Sequence, residues 1–273
     1  MAVSNGSTAD ILTGVLACPS CGNDLEKSAA GYLCLQCGKH FGIEGGIALF
    51  AEPQVRETSA NQSEVHNDSY AAEYQDPQDA QRYADSFHKT WRKRRRTRRE
   101  LEILETLLAD LPRCHTILDV PCGGGRLSGP IAARTEHLLE ADISQAQVQL
   151  ALSQSTDLRR GLTVSALTLP FESGSLDAVI SPRLAHHFAS ASDRERLLSE
   201  LLRVSRKFVI FSFNDRNSIH TLSRKLRAKP INPCTMSVGE IRQIAKNNGA
   251  RLTRILTVSL FGRRHRFALL LKP

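Results

Sequence analysis

The 273-residue chain is 41% hydrophobic and 23% charged with a mean hydropathy of -0.26. It therefore has apolar side chains enough for a core, too little charge excess for a disordered tail, and no apolar run near the ~20 residues of a membrane span. The formal net charge of +8 is unevenly spread: residues 1–90 carry 5 Lys/Arg against 12 Asp/Glu, 91–100 carry 7 against 1, 101–202 carry 8 against 13, and 203–273 carry 16 against 2. An acidic front and a basic final quarter point to a surface that meets phosphates, with solvated, scattered charge as the alternative. The N-terminus has no basic n-region followed by a cleavable apolar stretch, so the expected location is cytoplasmic.

Four of seven cysteines fall in a pattern: Cys18-Pro-Ser-Cys21, twelve residues, then Cys34-Leu-Gln-Cys37. Two CxxC knuckles on hairpin turns place four thiolates tetrahedrally around zinc, and a reducing compartment disfavours the competing disulfides. Pro19 and Gly22 shape the first knuckle, Gly38 the second, and Gly31-Tyr32-Leu33 is a short strand entering it. Residues 1–52 are thus expected to form a zinc ribbon stabilised largely by its metal. Four thiolates leave no open coordination position, so the zinc is structural. The remaining Cys114, Cys122 and Cys234 read as small packing residues.

Polar residues from Glu52 to Gln81, interrupted by Pro53 and Pro77, predict a linker, and 53–90 as a whole a linker with an N-terminal lid segment. Leu101, Leu104, Leu108 and Leu111 predict a helix from Trp91 closed by Pro112. Strand-like and helical runs then alternate: His115–Val120, a helix from Arg126, Leu138–Ala141, a helix from Gln145, Leu162–Ala166, Leu176–Ser181, a helix from Asp193, and Phe208–Phe213. A helix over Val238–Asn248 and an antiparallel pair, Arg251–Ser259 and Arg266–Leu271, complete the chain. The alternation predicts an α/β, doubly wound, mostly parallel seven-stranded sheet with an antiparallel last strand over residues 91–273.

The first strand ends in Asp119-Val120-Pro121-Cys122-Gly123-Gly124-Gly125, a glycine-rich turn that lets a ligand approach the backbone at the switch point of such a sheet. Asp142, about 20 residues on, is placed to accept from both hydroxyls of a ribose. The turn lacks the GxGxxG spacing that seats a pyrophosphate, which suits a nucleoside cofactor with an amino-acid end.

The Asp119–Gly125 turn, Ala141-Asp142-Ile143-Ser144, Leu169-Pro170-Phe171 and Leu176-Asp177-Ala178-Val179 together resemble the class I S-adenosylmethionine-dependent methyltransferases, over roughly Tyr70 to Pro273. The resemblance implies that S-adenosylmethionine is held by Asp119, Pro121, Cys122, Gly123, Gly125, Asp142, Ile143, Ser165, Ala166 and Ser181. Pro121 replaces the usual first glycine, and Ser165 stands where many members use Asp for the adenine amino group. Leu12–Phe50, with Gly45-Gly46-Ile47-Ala48-Leu49-Phe50, is similar to the short zinc-ribbon family whose members activate methyltransferases, Ala48 replacing the usual Pro.

A sulfonium is an activated methyl donor, so transfer is an in-line displacement in which a general base is optional. His186 and His187, after the fourth strand, are the candidates to accept a proton near neutral pH, against the blander reading that each only bonds backbone. Two acceptor classes follow. Structured RNA would meet Arg92–Arg99 and the basic final quarter. The chain there resembles the rRNA guanine-N1 methyltransferases, without their Tyr-Ala-Pro-Cys. A small or lipid-like molecule is the alternative, on resemblance to quinone C-methyltransferases. Ile219, Leu222 and Leu226 with Arg224, Lys225, Arg227 and Lys229 would then rest on an anionic membrane surface. A non-catalytic cofactor-binding scaffold is third.

Overall fold

A computed structural model describes residues 11–51, 76–154, 159–218, 233–258 and 265–273, together with positions 221, 223, 226 and 227. The N-terminal segment forms β1 (Glu26–Ser28), β2 (Gly31–Leu33), β3 (His40–Glu44) and β4 (Ile47–Leu49). Then come α1 (Pro77–Ser86), α2 (Trp91–Ala109), β5 (Cys114–Asp119), α3 (Ser128–Ala132), β6 (Thr135–Asp142), α4 (Gln145–Ser153), β7 (Arg159–Thr163) and β8 (Leu176–Ser181). A 3-10 turn at Ala185–His187, α5 (Ala191–Val204), β9 (Ser205–Asn214), α6 (Val238–Asn247), β10 (Arg251–Thr257) and β11 (His265–Leu271) follow.

Strands β5 to β11 lie in the order β7-β6-β5-β8-β9-β11-β10, parallel except for β11, which runs antiparallel to β9 and β10. This is the expected seven-stranded, Rossmann-like sheet, and its order reverses between β5 and β8, where ligands bind outside the strand ends. The connection 259–264, expected as the final turn, lies outside the described residues.

The N-terminal strands are not set apart from this sheet. Strand β4 pairs in parallel with β7, Ala48 opposite Leu162, and extends the sheet to eleven strands. The Phe50 and Ala51 amides both donate to the Thr163 carbonyl, at 2.9 and 3.0 Å. Unpaired, β7 would offer a row of open backbone groups, so β4 covers an edge that the sheet must otherwise leave exposed. Apolar Leu12, Leu16, Phe41 and Phe50 join Val164, Leu169 and Phe171 in one core with α5 and α6.

On the other face α2 buries Ile103, Leu104, Leu107 and Leu108 against Ile117, Phe208 and Phe267, each side chain contributing about 1.5–3 kcal/mol. The stripe differs from the leucine series expected, since Leu101 and Leu111 lie only at its margin.

The segment expected as linker up to Gln81 needs correction at its end. Pro77 opens α1 instead of breaking a helix, because a first-turn residue needs no amide hydrogen, and Asp76 caps the helix by accepting from the Gln78 amide at 2.7 Å. Residues 52–75 lie outside the described residues.

Candidate functional site

The two cysteine knuckles repeat one geometry. The Gly22 amide donates to the Cys18 carbonyl and the Gly38 amide to the Cys34 carbonyl, each at 2.8 Å, both glycines having positive φ. Sulfur separations are 3.6 Å for Cys18–Cys37 and 3.4 Å for Cys21–Cys34, and all four Sγ atoms lie within 4.8 Å. Four sulfurs at the Zn–S length of about 2.3 Å stand roughly 3.8 Å apart, so the quartet fits a tetrahedral ion. The backbone and side-chain N–H groups of Asn23 pull the Cys21 thiol down to about 6, which favours the thiolate a metal needs.

At the carboxyl end of the sheet, the turn after β5 is locked to β6. Asp142, 1% exposed, accepts the Gly123 amide at 3.0 Å and the Ser144 amide at 3.1 Å. Burial raises its carboxyl and these amides oppose the rise, leaving it at about 6. Gly125 (φ 78) is required twice, for its left-handed backbone and because a Cβ would come within 3.1 Å of the Ala151 Cα. Around Gly123 (φ 53) the only neighbour within reach of a Cβ is Gln147 Oε1, at 4.0 Å, so this glycine borders open space.

Polar atoms converge there without partners: Asp119 Oδ1, both amide atoms of Gln147, and Ser181 Oγ are buried and unbonded. Such orphaned groups cost free energy unless a ligand satisfies them, and a nucleoside carries hydroxyls and ring nitrogens that can. Gln147 was missed in the sequence, where only its place one turn into the helix after Asp142 marks it.

Burial, then the nearby Glu140, pushes the Asp119 carboxyl well above the ordinary range. Pro121, Cys122 and Gly123 line a pocket with Tyr83, Phe87 and Arg126. Cys122 also packs beneath the turn against Ile47, Val148 and Ala151. Ile143 follows Asp142, half-buried. The Ser165 hydroxyl accepts the Leu167 amide at 3.4 Å, with Ala166 half-buried beside it. These are the positions expected for cofactor residues, gathered at the ends of β5, β6, β7 and β8.

The histidines differ from expectation. Burial, then neighbouring His187 and Arg183, lowers His186 to about 2, and burial, then Arg183, lowers His187 to about 4. Both rings are neutral at physiological pH, so neither is a base poised near neutrality. Arg194 holds their loop by donating to the Phe188 and Ala189 carbonyls at 2.7 and 2.8 Å.

A second assembly was not anticipated. Glu100, wholly buried on α2, lies 3.1 Å from Arg96, 2.7 Å from Arg126, 3.4 Å from Arg183 and 3.5 Å from His265. Burial alone would raise its carboxyl, but the cations hold it below the ordinary value. Arg183 has φ 59, and its amide donates to Ser212 Oγ at 2.6 Å, the same hydroxyl that meets His265 Nε2 at 2.9 Å. The Phe87 ring, from the end of α1, covers the Arg126 and Arg183 guanidiniums at 4.4 and 5.4 Å.

The expected phosphate-binding run is therefore divided. Arg96 turns inward to Glu100, and Arg98 and Arg99 pair with Glu102, while Arg92, Lys93, Arg94 and Arg95 are exposed beside Trp91, itself 60% exposed. Much of the basic final quarter is also paired: Arg206 and Lys207 with Asp177, Arg216 with Glu240, Arg254 with Asp110, and Arg266 with Asp215. Of the stretch expected to rest on a membrane, 219, 220, 222, 224, 225 and 229 lie outside the described residues, and Leu226 is exposed. No helix among the described residues is long and apolar enough to cross a membrane.

Comparison with known proteins agrees with this geometry. A family model described as a methyltransferase domain matches residues 118–213. The tRNA (carboxymethyluridine(34)-5-O)-methyltransferase of Xenopus tropicalis is 33% identical over 100 residues, covering 37% of this chain and 15% of that protein. The mouse protein of that name is 36% identical over 104 residues, again with 15% of its length covered. The chain thus spans about one-seventh of these relatives. Magnesium protoporphyrin IX methyltransferase from Synechocystis PCC 6803, solved with bound SAH, shares the fold at 18% identity and a TM-score of 0.56, over 67% of this chain and 88% of that one. Residues 118–213, within the seven-stranded sheet, are a class I methyltransferase domain.

Proposed function

We propose that the protein transfers a methyl group from S-adenosylmethionine to an acceptor carried on structured RNA, with zinc at Cys18, Cys21, Cys34 and Cys37 as a structural ion. The observation that carries the cofactor assignment is the Gly123–Gly125 turn locked to buried Asp142, with the unbonded polar atoms of Asp119, Gln147 and Ser181 around it. Asp142 would accept from the ribose hydroxyls, and Gly123 would let the methionine part lie against the backbone. Ser165 and Ala166 would border the adenine. When bound, the cofactor supplies an activated methyl; the chain's part is to align the two reactants and exclude water. His186 and His187, being neutral and weakly basic, shape the acceptor loop and take no proton at neutral pH.

The RNA reading is supported by the exposed Arg92–Arg95 turn, which begins the helix whose Glu100 organises the site. The tRNA-modifying names of the relatives point the same way. A small-molecule acceptor is the second reading, favoured by the internal pairing of the C-terminal basic residues.

Replacing Arg92, Arg94 and Arg95 by Gln separates the two. On RNA the variant should flatten the slope of log affinity against log salt by up to roughly 2–3 units, with cofactor affinity unchanged. Wild-type protein with no salt-dependent RNA binding would remove the RNA reading.

A further inference from the structure

The assembly around Glu100 is more than an internal ion pair, because its charges do not cancel. Arg96, Arg126 and Arg183 bring three positive charges to one carboxylate, and His186, His187 and His265 add none, burial holding all three neutral. Donors in the same cluster are also unsatisfied: Arg126 Nη1, Arg183 Nε, His186 Nδ1 and His265 Nδ1 are buried with no hydrogen-bond partner. A fold that buries excess cation and orphaned N–H groups requires an anion to complete it.

The location identifies which reactant would supply it. Arg126 follows the glycine turn and Arg183 follows the end of β8, and both line the pocket beside Gly123 and Pro182, roofed by Phe87. The cofactor itself would not neutralise the site. Its sulfonium and ammonium outnumber its single carboxylate, so its arrival adds positive charge to an already positive pocket. An acceptor carrying a negative charge relieves both.

We propose that the methyl acceptor is a carboxylate, seated between the Arg126 and Arg183 guanidiniums beneath the Phe87 ring. This rests on the methyltransferase reading above and names the group on which it acts. A carboxylate oxygen uses a lone pair to form the bond to the methyl carbon as the carbon–sulfur bond breaks, its electrons returning to sulfur. The products are a methyl ester and S-adenosylhomocysteine. No proton moves, which accounts for a site whose nearby histidines are poor bases. Two opposite charges are neutralised together, so a dry, half-buried pocket favours the transition state over the separated ions. A guanidinium pair presents forked donors that match a carboxylate. The carboxylate can be borne by a modified RNA nucleotide or by a small organic acid, and product chemistry distinguishes them.

The test is to incubate the full chain with S-[methyl-3H]adenosylmethionine and, separately, total RNA and an acid-soluble metabolite extract. Each product is then treated with mild alkali. A methyl ester releases volatile tritiated methanol, whereas N-, C- and ribose-O-methyl groups do not. Methanol from the RNA places the carboxylate on RNA; methanol from the extract places it on a small acid. Label that survives alkali in either fraction overturns the proposal.

The variant Arg183→Gln should lower the labelling rate at least about tenfold and Arg183→Lys should restore part of it, with S-adenosylhomocysteine affinity by calorimetry within about threefold of wild type. A parallel tenfold loss of S-adenosylhomocysteine affinity would mean that Arg183 holds the cofactor's own carboxylate, and would overturn the proposal. Failure of the wild type to bind S-adenosylhomocysteine at all would instead bring down the methyltransferase reading, and this inference with it.

Discussion

Replacing Asp142 by Asn tests the cofactor site at its most constrained atom pair. The carboxylate accepts the Gly123 amide through one oxygen and the Ser144 amide through the other. An amide can accept only one of the two, so its NH2 must face an N–H donor in a position 1% exposed to solvent. Leaving that donor unpaired costs about 1–3 kcal/mol of stability, and losing charge-assisted bonds to ribose hydroxyls costs a further 1.5–3 kcal/mol of binding, roughly a ten- to hundredfold weaker Kd for S-adenosylhomocysteine.

The pH dependence is an independent signature of the same group. With its folded-state pKa raised to about 6, Asp142 in the free protein takes up a proton as pH falls through 6. Hydroxyl donors of a bound ribose favour the ionised form, so wild-type affinity should decline towards tenfold per pH unit below 6 and be flat above 7. Fold stability should run the other way: a raised acid contributes most below its unfolded value of about 3.9, and that contribution is lost as pH rises through 6. Calorimetry at pH 5.0 to 7.5, in buffers of different ionisation enthalpy, reads both affinity and proton release. An Asn variant that binds within twofold of wild type, or a wild-type profile flat across this range, would refute the assignment.

Two further outcomes follow from the metal quartet and the buried carboxylate. Cys34→Ser should abolish the one equivalent of zinc seen by metal analysis of the wild type. It should also lower Tm, because Cys34 lies in the core that holds Phe171 and Leu169; undiminished zinc would disprove the site. Glu100→Gln leaves three guanidiniums without their counter-charge and should destabilise the fold by about 3–5 kcal/mol in urea unfolding at pH 7, while a loss below 1 kcal/mol would show that the arginines are solvated.

Much of the cofactor end of this protein was legible in the sequence because its signals are local. The CxxC spacings, the glycine turn after an apolar strand, and an acidic residue one strand later depend on neighbours in the chain, and the backbone conformations they require are short-range. So does the alternation that predicts the parallel sheet. What tertiary structure alone decided is where separate segments meet. Nothing in Ile47-Ala48-Leu49 announces that it will pair with β7, since an exposed sheet edge exists only once the sheet is formed. Pro77 marks a break or a helix start with equal right until Asp76 is seen to cap it. The Glu100 assembly draws on positions 96, 100, 126, 183 and 265, and each arginine read singly is one more surface cation. Arg96 was counted with a solvated run because helical periodicity assigns a side chain to a face but not to a partner. Its partner becomes available only when the packing of α2 against the sheet buries Glu100 and brings the ends of β5, β8 and β11 around it, because a desolvated carboxylate recruits every cation within reach.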